Sequence, residues 1–261
     1  MGLQTIQPFI LQSLVAGILA SFACGLGALP LAYKGIDLRR HTGLAYSAAG
    51  GLMFAASVYN LILPGLTLSS EDIQLADAIP VVLGILLGAL FLSQVDNFFS
   101  PQRLEQGNWK RWGNKAQILI FVAMAVHSIP EGIAVGVGYA SSAVYDNNLG
   151  NYIAVAIALH NIPEGLAVAI PMRAAGASIW RSFWAAFLTS LPQPIAAVPA
   201  AYVSWLFQPI MPILMGFAAG AMIFLVILEL IPEALHSSSP IRVAWAFSIG
   251  FCAMLLVQVL L

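Results

Sequence analysis

The sequence predicts an all-α integral membrane protein, an eight-helix transmembrane bundle. Composition is the first reason: of 261 residues, 60% are hydrophobic and 8% charged, with a mean hydropathy of +0.90. A soluble domain carries about 25% charged residues, so these charges are too few to cover a water-facing surface. Distribution is the second reason. Crossing a bilayer core takes roughly 20 apolar residues in a helix, and runs of that length recur eight times with short connections. A net charge of −1 marks no charged partner, and we expect no nucleic acid among the partners. Cys24 and Cys252 lie in apolar runs near opposite ends and suggest neither a disulfide nor a CxxC site.

The spans follow in order. The opening MGLQTIQPFI has no basic region, so it is read as leading into a first span, near 8–32, and not as a cleaved signal. Lys34, Arg39 and Arg40 separate it from the second, near 43–65. Glu71, Asp72 and Asp77 surround the start of the third, near 76–95. The longest polar stretch, about 96–115, carries Arg103, Lys110, Arg111 and Lys115. Span four, near 116–140, and span five, near 150–171, are joined past Asp146. Arg173 and Arg181 lead to span six, near 183–206. Span seven runs near 209–235, and Arg242 marks its junction with span eight, near 241–261.

All ten basic residues therefore fall in alternate connections, and the intervening ones hold acids without Lys or Arg. Cytoplasmic loops are the ones enriched in Lys and Arg, so both termini are predicted outside. A count wrong by one span would destroy this sorting. Trp109, Trp112, Trp180, Trp184 and Trp205 fall near span ends and read as interface anchors. With no stretch fitting a soluble domain, residues 1–261 are predicted to form a single transmembrane domain.

Within the spans the ionisable residues are His127, Glu131, His160, Glu164, Glu229 and, near a helix end, Glu233. A charge at a helix centre costs about 2.5–3.5 kcal/mol even on the lenient insertion scale. The sequence nevertheless spends that cost twice in one pattern, HSIPEG from His127 and HNIPEG from His160. Residues four apart share a helix face about 6 Å apart along the axis. Each His/Glu pair therefore projects together from the middle of its span, and antiparallel neighbours would bring all four to one depth. Imidazole nitrogen and carboxylate oxygen suit tetrahedral Zn²⁺, with Fe²⁺, Mn²⁺ and Cd²⁺ open as alternatives. A dication also balances two carboxylates that would otherwise repel in low dielectric.

Pro130 and Pro163 lie between the members of each pair and cannot donate to the carbonyls of Val126 and Leu159. Gly132 and Gly165 follow directly and permit close helix approach. ELIPEAL in span seven places Glu229, Pro232 and Glu233 in an echo of the pattern, and NLILPG in span two places Asn60 and Pro64. Glu229 and Asn60 are candidate path residues beside the central site.

These motifs make the chain resemble the ZIP (Zrt-/Irt-like) family of divalent metal transporters, its prokaryotic branch in particular, over essentially its whole length. The resemblance implies an inverted 3+2+3 repeat, with spans one to three and six to eight related around four and five. It also implies metal movement towards the cytoplasm by an elevator-like shift, a cell-membrane (bacterial inner membrane) location and a homodimer. His127, Glu131, His160 and Glu164 match the family's primary metal site. Ser128 stands where Asn is usual in a second site, Asn161 is a common variant there, and Gln193 of LPQP replaces a frequent Glu. One strong metal and at most one weak one are expected. The 96–115 loop has no histidine, unlike the metal-collecting loops of many relatives.

The competing readings are weaker. An intramembrane zinc-dependent hydrolase would need an open coordination position and a general base, yet there is no HExxH pair. A proton-coupled carrier for another solute would use the carboxylates as a relay but leaves the doubled His/Glu pairing unexplained. His41 and His236, near span ends, read as structural. Ser128 and Gln193 stay open between packing and ligation.

Overall fold

A computed structural model describes residues 7–33, 38–68, 72–98 and 115–260. The described elements are helical throughout. They run as α1 (Gln7–Leu26), a 3-10 turn at Leu29–Ala32, α2 (Leu38–Ala56), a π turn at Ser57–Ile62, α3 (Leu63–Thr67) and α4 (Leu75–Phe98). Then follow α5 (Lys115–Tyr145), α6 (Leu149–Ala174), α7 (Ile179–Thr189), α8 (Pro192–Leu206) and α9 (Met211–Leu225). A second π turn at Val226–Leu230, α10 (Ile231–Ser237) and α11 (Pro240–Leu260) complete the order. Lys34, Glu71, Arg103, Trp109, Lys110, Arg111 and Trp112 lie outside the described residues, as do the side chains of Arg39, Arg40, His41 and Lys115.

Among the described residues, six stretches are long and apolar enough to cross a membrane: Pro8–Ala32, Gly43–Thr67, Leu75–Asn97, Leu149–Ile170, Gln208–Ser237 and Pro240–Leu260. They are the predicted spans one, two, three, five, seven and eight. Span four is α5, whose 31 residues reach about 46 Å at the α-helical rise.

Span six requires a correction. It is not one helix over 183–206 but begins at Ile179, capped by Ser178, and breaks at Ser190–Leu191 before α8. Pro192 and Pro194 lack the N–H groups that would reach the carbonyls of Leu188 and Ser190. Other donors replace them. Leu191 N donates to Leu188 O at 3.3 Å and Gln193 N to Ser190 O at 3.0 Å, where Ser21 Oγ adds a bond at 2.8 Å. Ser128 Oγ donates at 3.3 Å to Thr189 O, the carbonyl that Gln193 N would reach in an unbroken helix. Irregular backbone at membrane depth survives only when buried in protein and satisfied in this way.

The two π turns have the same origin. Pro64 cannot donate to the carbonyl of Asn60, nor Pro232 to that of Leu228, and each helix widens just before its proline. Widened turns of this kind are rare and concentrate at functional sites; here they carry Asn60 and Glu229.

Packing is strongest in four pairs: α4 on α9, α5 on α8, α2 on α11 and α1 on α6. Numbered as spans, these are three with seven, four with six, two with eight and one with five. Exchanging spans one to four with six, seven, eight and five leaves the set unchanged, which is the relation an inverted 3+2+3 repeat demands. Glycines allow the approach. A Cβ on Gly88 would strike backbone atoms of Phe217 and Ala221, and one on Gly165 would strike the carbonyl of Cys24. Gly88→Val is therefore expected to destabilise the fold by about 1–3 kcal/mol, the usual overpacking range. Leu86→Val, on a side chain 63% exposed on the outer face of α4, is expected to stay within about 0.5 kcal/mol. Thermal unfolding of the detergent-purified variants separates the two.

Candidate metal centre

α5 and α6 are connected by a tight turn through Asp146, whose φ of 51° is left-handed, and they pack against each other. The turn makes them antiparallel, so His127 and Glu131 ascend on one helix as His160 and Glu164 descend on the other. One donor atom each from Glu131, His160 and Glu164 lies within 4.8 Å of the other two. These side chains are 1%, 0% and 4% exposed. His160 Nε2 is 3.4 Å from Glu131 Oε1, while His160 Nδ1 and Glu164 Oε1 are buried without a hydrogen-bond partner. Unsatisfied polar atoms at such depth are costly, and a dication is a group that would satisfy this mixture of nitrogen and oxygen.

The fourth residue of the sequence motif is placed differently. His127 Nε2 lies 3.3 Å from Glu229 Oε1, across the boundary between α5 and the second π turn. The four residues of the sequence motif thus fall in two neighbouring groups, Glu131 with His160 and Glu164, and His127 with Glu229 on the π turn. His127 is buried, with its Nδ1 unpartnered, and Glu229 is partly open, its side chain 38% exposed.

The remaining predicted residues form a second layer. Gln193 Nε2 donates to Glu131 Oε2. Asn161 Nδ2 reaches Gln193 Oε1 at 3.1 Å and the Ala20 carbonyl at 2.9 Å. Ser128 donates to the carbonyls of Met124 and Thr189, so it braces the broken span six. Asn60 is buried, neither of its polar atoms has a partner, and it lines a small apolar cavity with Ile153, Ile157 and Met222. Glu233 and His236 are exposed at the far end of span seven. Sequence reading missed Ser190 and Ser21, which close the broken backbone beside this layer; polar residues in apolar runs, one of them directly before LPQP, were the available signal.

Taken together, the fold and site define a class: a multi-pass helical membrane protein enclosing a cluster of histidine and carboxylate side chains within its apolar interior. The family model described as ZIP Zinc transporter matches residues 110–258. Zinc transporter GufA of Myxococcus xanthus is 34% identical over 226 residues, covering 85% of this chain and 87% of that protein. Zinc transporter ZIPB of Bordetella bronchiseptica is 36% identical over 248 residues, 92% of this chain and 79% of that one. The chain belongs to the ZIP family. Human zinc transporter ZIP11 is 41% identical over 165 residues, 61% of this chain. The match spans only 47% of that human protein, and a second match spans 36% of a putative zinc transporter of Arabidopsis thaliana.

Proposed function

We propose that this protein transports divalent transition-metal ions, zinc foremost, across a cell membrane towards the cytoplasm, and is not an enzyme. The observation that carries the reading is the buried convergence of Glu131, His160 and Glu164. Two carboxylates neutralise a dication and the imidazole adds a nitrogen donor, so a bare metal ion can shed water inside a bundle that otherwise excludes it. His127 and Glu229 then flank the site, with Glu229 partly open to pass an ion on. Fe²⁺, Mn²⁺ and Cd²⁺ fit the same donors. The relatives named as zinc transporters support zinc as the first cargo to test. A hydrolase reading would have to take Glu229, which flanks the site beside His127, as its general base, and it gains no support from relatives named as zinc transporters.

The proposal includes a single transmembrane domain with both termini outside, placement in a bacterial inner membrane, and a homodimer as the assembly. Its test is ⁶⁵Zn uptake into vesicles holding the purified protein, with unlabelled Fe²⁺, Mn²⁺ and Cd²⁺ as competitors. His160→Ala is expected to bring uptake to the level of empty vesicles while the protein still inserts and unfolds cooperatively. Uptake equal to that of the unsubstituted protein would overturn the reading.

A further inference from the structure

The first π turn carries Asn60 into the bundle, where the residue is 1% exposed and neither amide atom has a hydrogen-bond partner among the described residues. Its surroundings explain why. Asn60 shares a cavity of about 10 Å³ with Leu61, Ala134, Ile153, Ala156, Ile157 and Met222, whose side chains offer nothing stronger than a thioether. That volume is the lower limit for one water, and a water needs two or more polar partners to be held. The amide is therefore poorly satisfied wherever this cavity is closed. Leaving such a group unpaired disfavours the state that buries it by about five- to a hundredfold. An apolar side chain of the same size would fill the position without that penalty.

The depth of the cavity gives the penalty a use. Ala134 follows Glu131 by about one turn on α5, and Ile157 and Ile153 precede His160 by about one and two turns on α6. The cavity thus lies between the His/Glu cluster and the end of the bundle that carries Asp146, the end that the proposed orientation puts outside. Leu61, Ile153, Ile157 and Met222 are each at most 2% exposed, so they close the cluster off on that side. On the opposite side Glu229 is partly open. A carrier that exposes its site to one side at a time must open the closed side once in every cycle. Here the closed side is packed around a group that gains by meeting water.

We propose that Asn60 is a conformational device that weakens the outer seal: its amide is stranded among apolar side chains when the outer half is closed and hydrated when that half opens. This rests on the transport reading, and it gives Asn60 no contact with the metal. The stranded amide brings the closed state nearer in free energy to the open one, which keeps the open state populated enough to admit an ion. With an apolar residue in its place the seal is too stable, and its opening becomes the slow step of uptake.

The test places a reporter in the seal. In the full purified protein, the thiol of an Ile153→Cys variant reacts with a water-soluble maleimide in proportion to the fraction of molecules open. Mass spectrometry of the peptides separates this label from any on Cys24 or Cys252. Adding Asn60→Leu is expected to slow labelling about five- to a hundredfold. Asn60→Leu alone should raise the unfolding temperature by about 2–10 °C and lower the maximal rate of ⁶⁵Zn uptake at least about fivefold. Its zinc affinity should stay within about threefold of the parent, which a lost metal ligand would not allow. Asn60→Ala should slow labelling and uptake in the same direction without the gain in stability, because it leaves more empty space. Labelling at the parental rate, a lowered unfolding temperature for Asn60→Leu, or zinc affinity lost together with uptake would each overturn the proposal. If Asn60→Leu does not fold, labelling and uptake of Asn60→Ala decide. A parent protein that takes up no zinc would instead remove the transport reading, and the proposal with it.

Discussion

Glu164→Ala is expected to weaken zinc binding by about a hundredfold to several thousandfold and to abolish uptake, the largest single effect expected in this protein. The side chain is 4% exposed and its Oε1 has no partner, so no protein group takes over its role. With Glu131 alone, a bound dication keeps an uncompensated charge in the apolar interior, and breaking a buried charge pair costs about 3–5 kcal/mol. Stability should move the other way. Without metal, Glu131 and Glu164 are like charges in low dielectric, so the metal-free variant is expected to unfold at the same or a higher temperature than the parent. Glu233→Ala, on an exposed side chain beyond the site, should bind zinc within about twofold of the parent. Titration calorimetry gives the affinities. Zinc binding by Glu164→Ala at parental strength would contradict the assignment.

The second large effect is with pH. Zinc and protons compete for the same oxygen and nitrogen atoms, because ligands must be deprotonated to hold metal. Lowering the pH therefore weakens binding, about tenfold per unit for each proton displaced. Zinc affinity is expected to fall steeply between pH 7 and 5, and Glu164→Gln, which removes one competing site, should flatten that dependence. The same competition offers a means of releasing the ion on the far side. A dissociation constant that stays level from pH 5 to 8 would remove protons from the account.

The fold was largely legible because a bilayer constrains length and polarity together. Spans such as 76–95 and 241–261 stand out as apolar runs, and α4 and α11 duly face outward with exposed Leu86, Leu90 and Leu256. What hydropathy does not register is backbone hydrogen bonding. Span six reads as one apolar run, yet Pro192 and Pro194 divide it, and local backbone bonds together with Ser21 and Ser128 from other spans make the break tolerable. The π turns were likewise invisible to a 3.6-residue period, although Pro64 and Pro232 mark where they end.

The site was legible in part for a related reason. Helical spacing places His160 and Glu164 on one face, and the antiparallel pairing brings Glu131 to them. Spacing within one helix says nothing about a neighbour's side chains. His127 therefore finds Glu229 on a widened turn of another span, a meeting that depends on the π turn. The orientation of Gln193 was unreadable for the same reason, since it depends on an Ala20 carbonyl far away in sequence.

The central claim is that one dication sits among Glu131, His160 and Glu164. Anomalous X-ray scattering at the zinc edge from crystals of the zinc-loaded protein tests it most directly. The expected result is a single peak among these three side chains, with nitrogen and oxygen donors at about 2.0–2.2 Å. A peak elsewhere, or none there while the carboxylates bind other protein groups, would contradict it.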